Sequence, residues 1–252
     1  MPIPADIDAI LQAIAATPLA TAKLAATKGK IHELWLVVNI ADALRKNGWF
    51  VQMRTSNDRR AAQFIQRGAP GWIQPIAFGA NNPSFFYLRR PDGREFELHN
   101  SLVFRGRSGA SHEFDICVFS RSLGKSLRKR AEAQRAYGHP MYSVECKQYT
   151  AAVGIDVPRG VMACTFDGTR WTRAALSHRR KVEGNAVMRH TTLSGRLGTT
   201  FTAIVTPNGI SKGAKTLANR YSIRLFDSVE VVSGALDIFL RASVRWLNRY
   251  QG

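Results

Sequence analysis

The sequence has few cysteines, few acidic residues and no long apolar segment. Its three cysteines, Cys117, Cys146 and Cys164, stand far apart and form no Cys-x-x-Cys pair, so neither a structural zinc site nor a disulfide framework is expected. No apolar run approaches the roughly 18 residues that cross a bilayer. The residues before Ile10 include no Lys or Arg, which disfavours a secretory signal. We therefore expect a cytoplasmic protein.

The phosphate-binding pattern Gly-x-x-x-x-Gly-Lys-Ser/Thr is also missing. That pattern places backbone N–H groups and a lysine around the phosphates of a nucleotide. We therefore do not expect this chain to hydrolyse nucleoside triphosphates by itself. Any energy-driven step would require a partner ATPase.

What the chain has in excess is positive charge. Its 36 Lys and Arg residues against 18 Asp and Glu residues give a formal net charge of +18. Such a surplus repels itself and is typical of proteins that bind a polyanion, above all nucleic acid. We expect two clusters to contact phosphates, although a merely solvated surface is the alternative for each. Their members are Lys125, Arg128, Lys129, Arg130, Arg179, Arg180 and Lys181.

Periodicity predicts alternating helices and strands. Apolar residues recur at helical spacing over 21–47, and Asn47-Gly48 is typical of a helix end. A short helix followed by a connection is predicted within 5–27, and further helices are predicted at 122–137, from Pro158, at 211–219 and at 233–249. Strands are predicted at 49–54, 85–88, 95–98, 102–104, 112–119, 141–147, 201–205 and 223–226. We therefore expect one α/β domain over 1–252, with an N-terminal helical segment and a basic C-terminal helix.

Two of these strands carry charged residues at a spacing of two. Glu113 and Asp115 lie on one strand, and Glu145 and Lys147 lie on another; in each pair both side chains are expected on the same face. If the strands are adjacent, Asp115 and Glu145 converge on a divalent cation, and carboxylate oxygens suit Mg²⁺, for which Mn²⁺ is expected to substitute. Lys147 would then orient a water molecule and stabilise phosphate charge. A structural salt-bridge cluster is the alternative.

The order of these residues resembles the PD-(D/E)XK nuclease superfamily. The stretch 109–116 is similar to its Gly-x-x-x-Glu-φ-Asp-φ motif (φ is apolar), although the proline of the name is absent. About thirty residues later, Glu145-Cys146-Lys147 resembles the second motif. Gln148 after the lysine, and the stretch 204–218, are similar to Mrr-type restriction endonucleases.

The resemblance implies a restriction-endonuclease-like core, a central mixed β-sheet flanked by helices in the order αβββαβ, over about 21–227 with 228–252 as an extension. It implies a metal-dependent DNA endonuclease in which Asp115 and Glu145 bind the metal and Lys147 acts on water. Either Glu33, in the helix before the sheet, or Glu113 would complete the metal site. Gln148 would contact the substrate or position the lysine.

The biological setting follows from the same resemblance. It implies bacterial restriction or anti-phage defence, a homodimer that cuts both strands, and a sensor protein or ATPase as partner. Two other functions stay open at this point. One is a nucleic-acid-binding module without catalysis, and the other is a nuclease of the same fold that acts on RNA or branched DNA.

Overall fold

The computed structural model describes residues 3–4, 25–61, 63–65, 67, 69–73, 83–129, 136–148, 151–168, 200–230 and 233–250. The helices are α1 (Ala25–Lys46), α2 (Arg121–Arg128), α3 (Asp156–Gly168), α4 (Lys212–Arg220) and α5 (Gly234–Arg249). The strands are β1 (Ile3–Pro4), β2 (Phe50–Arg54), β3 (Gln63–Phe64), β4 (Phe85–Arg89), β5 (Glu95–Arg105), β6 (Ser111–Ser120), β7 (Ala136–Tyr137), β8 (Tyr142–Cys146), β9 (Phe201–Val205) and β10 (Arg224–Phe226).

Eight of these strands form one mixed sheet, so the expected α/β class is confirmed in this part of the chain. The strand order is β10-β9-β8-β6-β5-β4-β2, with β7 beside β5, and a small separate ribbon pairs β1 with β3. In the sheet, the neighbouring strands β2, β4, β5, β6 and β8 pair antiparallel, whereas β8, β9 and β10 are parallel to one another. The antiparallel run is what brings β6 and β8 side by side.

Helices α1 and α5 cover one face of this sheet and form the main core with it. Residues such as Leu36, Leu44, Phe239 and Leu247 are fully buried there. Helix α1 ends where Gly48 adopts a left-handed backbone with φ of 84°, as the Asn47-Gly48 pair predicts. Because the apolar side of α5 is buried in this core, that side is not available to bind a second copy of the chain.

The other face of the sheet carries α2, α3 and smaller clusters. Phe104, Phe114, Phe119 and Leu127 form a second core under α2. Helices α3 and α4 pack near β9 and β10 around Ile204. Among the described helices, none is both long and apolar enough to cross a membrane.

The predicted helix over 122–137 is confirmed in its first part, but its predicted end is wrong. Helix α2 ends at Arg128, and Ala136–Tyr137 instead forms β7. The reason lies in β5, which extends past the end of β4 and leaves an open edge at Phe104 and Arg105. Strand β7 pairs with these two residues. Of the segment 5–27, within which a short helix is predicted, residues 5–24 lie outside the described part of the chain.

The C-terminal end of α5 is held by an arginine from the β4–β5 hairpin. Arg90 is buried, and its Nη1 donates to the carbonyl oxygens of Leu247 (3.1 Å), Asn248 (3.2 Å) and Tyr250 (2.6 Å). Carbonyls in the last turn of a helix have no partner within the helix. One guanidinium therefore satisfies the end of α5 and ties it to the sheet.

Replacement of Arg90 should destabilise the protein. In Arg90→Ala the three carbonyls lose a charged donor in a buried place, and we expect the free energy of unfolding to fall by about 2–4 kcal/mol. Denaturant unfolding followed by circular dichroism measures this. The neighbouring Arg89 is exposed, so Arg89→Ala should change stability by less than about 1 kcal/mol; equal losses in both variants would contradict the assigned role.

Candidate active site

Strands β6 and β8 bring the predicted acidic residues together. Ile116 lies opposite Val144, and Cys117 lies opposite Ser143. In an antiparallel pair the next step of this register places Asp115 beside Glu145. The adjacency of the two strands, on which the sequence argument depends, is therefore confirmed.

Asp115 occupies a point where the strand changes its buried face. Ile116 belongs to the main core, whereas Phe114, two residues earlier, belongs to the second core. The neighbouring β5 changes face at the same level, where Ser101 has a φ of 46°. The Asp115 carboxylate turns toward β8, and its Oδ2 accepts a hydrogen bond from the backbone N–H of Cys146 (2.8 Å).

Glu113 lies close enough to Asp115 for the two carboxylates to interact electrostatically. Its Oε1 lies 3.5 Å from the Nζ of Lys30 on α1, and Asp115 also acts on the charge of Lys30. The expectation that both side chains leave one face of the strand stays a prediction, because the buried face of β6 changes between Phe114 and Ile116.

Lys147 lies between the two facing carboxylates. Its Nζ is 2.5 Å from Glu145 Oε1 and 3.8 Å from Asp115 Oδ2. Its backbone N–H donates to the carbonyl of Val205 (2.9 Å), so the pairing of β8 with β9 sets the direction of the side chain. About a quarter of the side chain is exposed, which leaves the ammonium within reach of a ligand.

The local electrostatics disfavour a full set of negative charges. Burial and the nearby Asp115 carboxylate raise the pKa of Glu145 to about 7. The same two causes raise the pKa of Glu113 above its usual value. Lys147 offsets these effects only in part, so the site favours an additional positive charge or protons.

A second group of charges from α1 adjoins this one. Glu33 is buried, and both its carboxylate oxygens lie 2.9 Å from the Nζ of Lys30. The hydroxyl of Ser101 donates to Glu33 Oε2 (2.8 Å). Burial and the Asp115 carboxylate raise the pKa of Glu33, so this helix glutamate lies within electrostatic range of Asp115, as its position in the sequence implied.

The site opens into a cleft of about 340 Å³ between the sheet and α3. Glu113, Glu145 and Lys147 line the sheet side. The lining on the helix side comprises Asp156, Val157, Gly160, Val161 and Cys164. The charged side chains therefore face a space that solvent and a ligand can enter.

Helix α3 is fastened to the turn between β5 and β6. The Asp167 carboxylate accepts hydrogen bonds from the backbone N–H (2.8 Å) and hydroxyl (2.7 Å) of Ser108. It also contacts His112 Nε2 at 2.6 Å. His112, which stands next to the acidic motif in sequence, thus serves a structural contact away from Glu145.

The donor set fits an ion that keeps much of its own hydration. Among the described residues, no three His, Cys, Asp or Glu side chains are grouped so as to hold a metal. The facing pair of Asp115 and Glu145 supplies two carboxylates instead. Mg²⁺ commonly binds through one or two carboxylates and completes its shell with water and phosphate oxygens, so this pair suits Mg²⁺ better than a zinc or calcium cage.

The remaining predicted residues lie in different settings. Gln148 is exposed directly after Lys147, and Lys125 and Lys129 are exposed on α2. The prediction that Arg128 contacts phosphates is wrong. Its guanidinium is buried and paired with Glu97, so it does not belong to a phosphate-binding surface. Arg130 and the cluster Arg179, Arg180 and Lys181 lie outside the described residues.

Sequence reasoning missed Lys30 and Ser101. The spacing of Lys30 and Glu33, three residues apart on a helix, is a signal for their ion pair. Ser101 carries no such signal, because its role depends on a strand register that the sequence alone does not reveal.

A Gly-x-Ser-x-Gly pentapeptide at 209–213 does not form a nucleophile site. Ser211 has an ordinary extended backbone, with φ of −63° and ψ of 153°, and its hydroxyl accepts from the backbone N–H of Ala214 as the N-cap of α4. A nucleophilic serine needs a strained turn and a free hydroxyl next to a base, so this serine is structural.

Comparison of the chain with protein-family models, with curated proteins and with solved structures gives no match. The function is therefore inferred from the chemistry of the site.

Ionisation of Glu145 should make the metal-free protein less stable as the pH rises. Its pKa is about 7 in the folded chain, against an ordinary value of 4.5. Between these values the folded state binds more protons than the unfolded state, so the free energy of unfolding decreases as the pH increases. In a chelating buffer, Glu145→Gln should remove this decrease. At pH 8 the free energy of unfolding of the variant should be about 1–3 kcal/mol higher than that of the parent.

Unfolding titrations at pH 5 and pH 8 measure this difference. Glu230 is an exposed carboxylate far along the chain, and Glu230→Gln serves as the matched control, with a pH dependence like that of the parent. A Glu145→Gln variant that loses stability with pH as steeply as the parent would contradict the electrostatic description of the site.

Proposed function

We propose that the protein is a metal-dependent endonuclease that hydrolyses phosphodiester bonds in DNA. The observation that carries the proposal is the meeting of Asp115, Glu145 and Lys147 on adjacent strands beside an open cleft. Paired carboxylates can hold a metal ion near a phosphate, and a lysine beside them can stabilise phosphate charge, so this set of groups is able to support phosphodiester hydrolysis.

Asp115 and Glu145 would hold Mg²⁺ or Mn²⁺ in this arrangement. The bound ion would polarise a phosphate oxygen and lower the pKa of a coordinated water. The raised pKa of Glu145 supports this assignment, because a carboxyl in such a setting gains from a neighbouring cation.

Lys147 has two tasks in the proposed reaction. Its ammonium neutralises the facing carboxylates, so that they repel an approaching phosphate less strongly. Once phosphate is bound, the same donor lies where negative charge increases on the phosphoryl oxygens, and it stabilises that charge. Gln148, exposed at the next position, is placed to contact the substrate backbone.

The order of elements around the site supports the resemblance to the PD-(D/E)XK superfamily. Helix α1, strands β5, β6 and β8, helix α3 and strand β9 occur along the chain in the order αβββαβ, with β2, β3 and β4 inserted after α1 and with α2 and β7 inserted between β6 and β8. In the Mrr-like stretch, Ala214 and Ala218 of α4 are fully buried, which accounts for the paired alanines. Restriction or anti-phage defence, and a homodimer that cuts both strands, belong to the proposal through this resemblance alone.

The surface charge supports nucleic acid as the substrate. Lys125 and Lys129 are exposed on α2. Arg241, Arg245 and Arg249 are exposed along α5, and a spacing of four residues separates neighbours by about 6 Å along a helix. Such a row matches a phosphodiester backbone better than it matches a small anion.

One observation favours a binding module without catalysis as the second candidate. Each carboxylate of the site has a lysine or backbone partner within the chain, as a structural cluster would. The two candidates differ in a single measurable property, which is metal-dependent cleavage of the bound nucleic acid.

Cleavage should require the two strand motifs. With Mg²⁺ or Mn²⁺ the parent protein should nick or linearise plasmid DNA, and Asp115→Asn and Lys147→Met should lower the rate by at least about 100-fold. A panel of duplex, single-stranded, branched and RNA substrates defines the preferred nucleic acid. Affinity for uncleaved DNA in a chelating buffer should change little, because both variants keep the exposed basic residues of α5 that are proposed to hold the DNA backbone.

Asp156→Asn provides the control, because this carboxylate lies at the rim of the same cleft and is exposed. It should retain cleavage close to the parent rate. Undiminished cleavage by Asp115→Asn would refute the site, and tight binding without any cleavage by the parent would favour the binding module.

The arginine row on α5 should contribute to DNA affinity in a salt-dependent way. Replacement of Arg241, Arg245 and Arg249 by Gln removes three phosphate contacts, so the slope of log affinity against log salt should decrease in magnitude by about 2–3. Fluorescence anisotropy with a labelled duplex at several salt concentrations measures the slope. The triple Lys variant keeps the charge and should keep the slope; an unchanged slope in the Gln variant would exclude α5 from the interface.

A further inference from the structure

The ammonium of Lys30 occupies a position that resembles a bound cation. Its Nζ lies 2.9 Å from both carboxylate oxygens of Glu33, 2.6 Å from Ser101 Oγ and 3.5 Å from Glu113 Oε1. These oxygens come from α1, β5 and β6, three separate elements. The side chain is only one quarter exposed, so the lysine is part of the interior of the site.

Two buried residues, Glu33 and Ser101, shape the position of the Lys30 ammonium. Glu33 is 5% exposed and Ser101 is fully buried. The left-handed backbone of Ser101, with φ of 46°, lies in the middle of a strand, where a residue with a side chain adopts it at an energetic cost. Its hydroxyl is thereby placed to bond Glu33 and to contact Lys30.

The charges of the two adjoining groups are unequal. Glu33, Glu113, Asp115 and Glu145 contribute four negative charges when ionised, and Lys30 and Lys147 contribute two positive charges. The difference is two negative charges, which one divalent ion neutralises. A second divalent ion would leave the site positive, and it would need the oxygens that Lys30 already holds.

We propose that Lys30 serves as a permanent cation of the site, so that the protein binds one divalent ion rather than two. Asp115 and Glu145 hold that ion, whereas Glu33 and Glu113 are committed to the lysine. This inference rests on the proposed metal-dependent function and deepens it, because it assigns Lys30 as a positioning residue and sets the stoichiometry of the metal.

The number of bound ions tests the inference directly. Isothermal titration calorimetry with Mn²⁺, checked by the loss of the free-ion signal in electron paramagnetic resonance, should give one ion per chain for the parent. In Lys30→Met the oxygens of Glu33, Glu113 and Ser101 lose their cation, and a second Mn²⁺ should bind. Lys30→Arg keeps the positive charge and should bind one ion, like the parent.

The outcomes separate the two proposals. Two ions in the parent, or one ion in a folded Lys30→Met, would overturn the role of Lys30 while leaving metal-dependent cleavage intact. No bound Mn²⁺ in the parent would overturn the metal site and this inference with it. If Lys30→Met fails to fold, as circular dichroism would show, Lys30→Gln is titrated in its place. Two ions bound to the parent would still overturn the role of Lys30.

Discussion

Asp115 and Glu145 lie side by side on antiparallel strands, and their like charges repel at a place that water only partly reaches. The surroundings reduce this repulsion in different ways. The backbone N–H of Cys146 binds Asp115, and Lys147 approaches both carboxylates. Helix α1 adds a further acid, Glu33, together with a lysine of its own. Helix α1, the ends of β6 and β8, and the opening beside α3 therefore all meet at these charges.

The sequence predicted most of the elements because their signals are local. The helical spacing before Asn47-Gly48 corresponds to α1, and the strands predicted at 85–88 and 95–98 correspond to the paired strands β4 and β5. The side-by-side placement of Asp115 and Glu145 was accessible as a hypothesis, because each of the two strands carries charged residues at a spacing of two. The change of face at Asp115 was not accessible, because the strand period of two holds only while the backbone stays regular. The irregularity coincides with the left-handed backbone of Ser101 in the neighbouring strand.

The positive residues divide into two populations that composition cannot separate. Some neutralise acids inside the protein: Arg121 and Arg128 both bind the fully buried Glu97. The close approach of α2 to Glu97 is allowed by Gly124, where a side chain would collide with the carboxylate. Others in the described part of the chain are exposed, as along α5. Net charge therefore overstates the cations that a partner would meet, and the prediction that Arg128 contacts phosphates was wrong because this arginine faces inward.

Helix α3 is tied at both ends to parts of the sheet. Near its start, the backbone of Val153 exchanges hydrogen bonds with Gly209 and Ser211. Near its end, the Asp167 carboxylate holds the β5–β6 turn. These contacts near both ends of α3 limit outward movement of this side of the cleft. A ligand of the cleft would therefore have to fit an opening whose width is largely set by the fold.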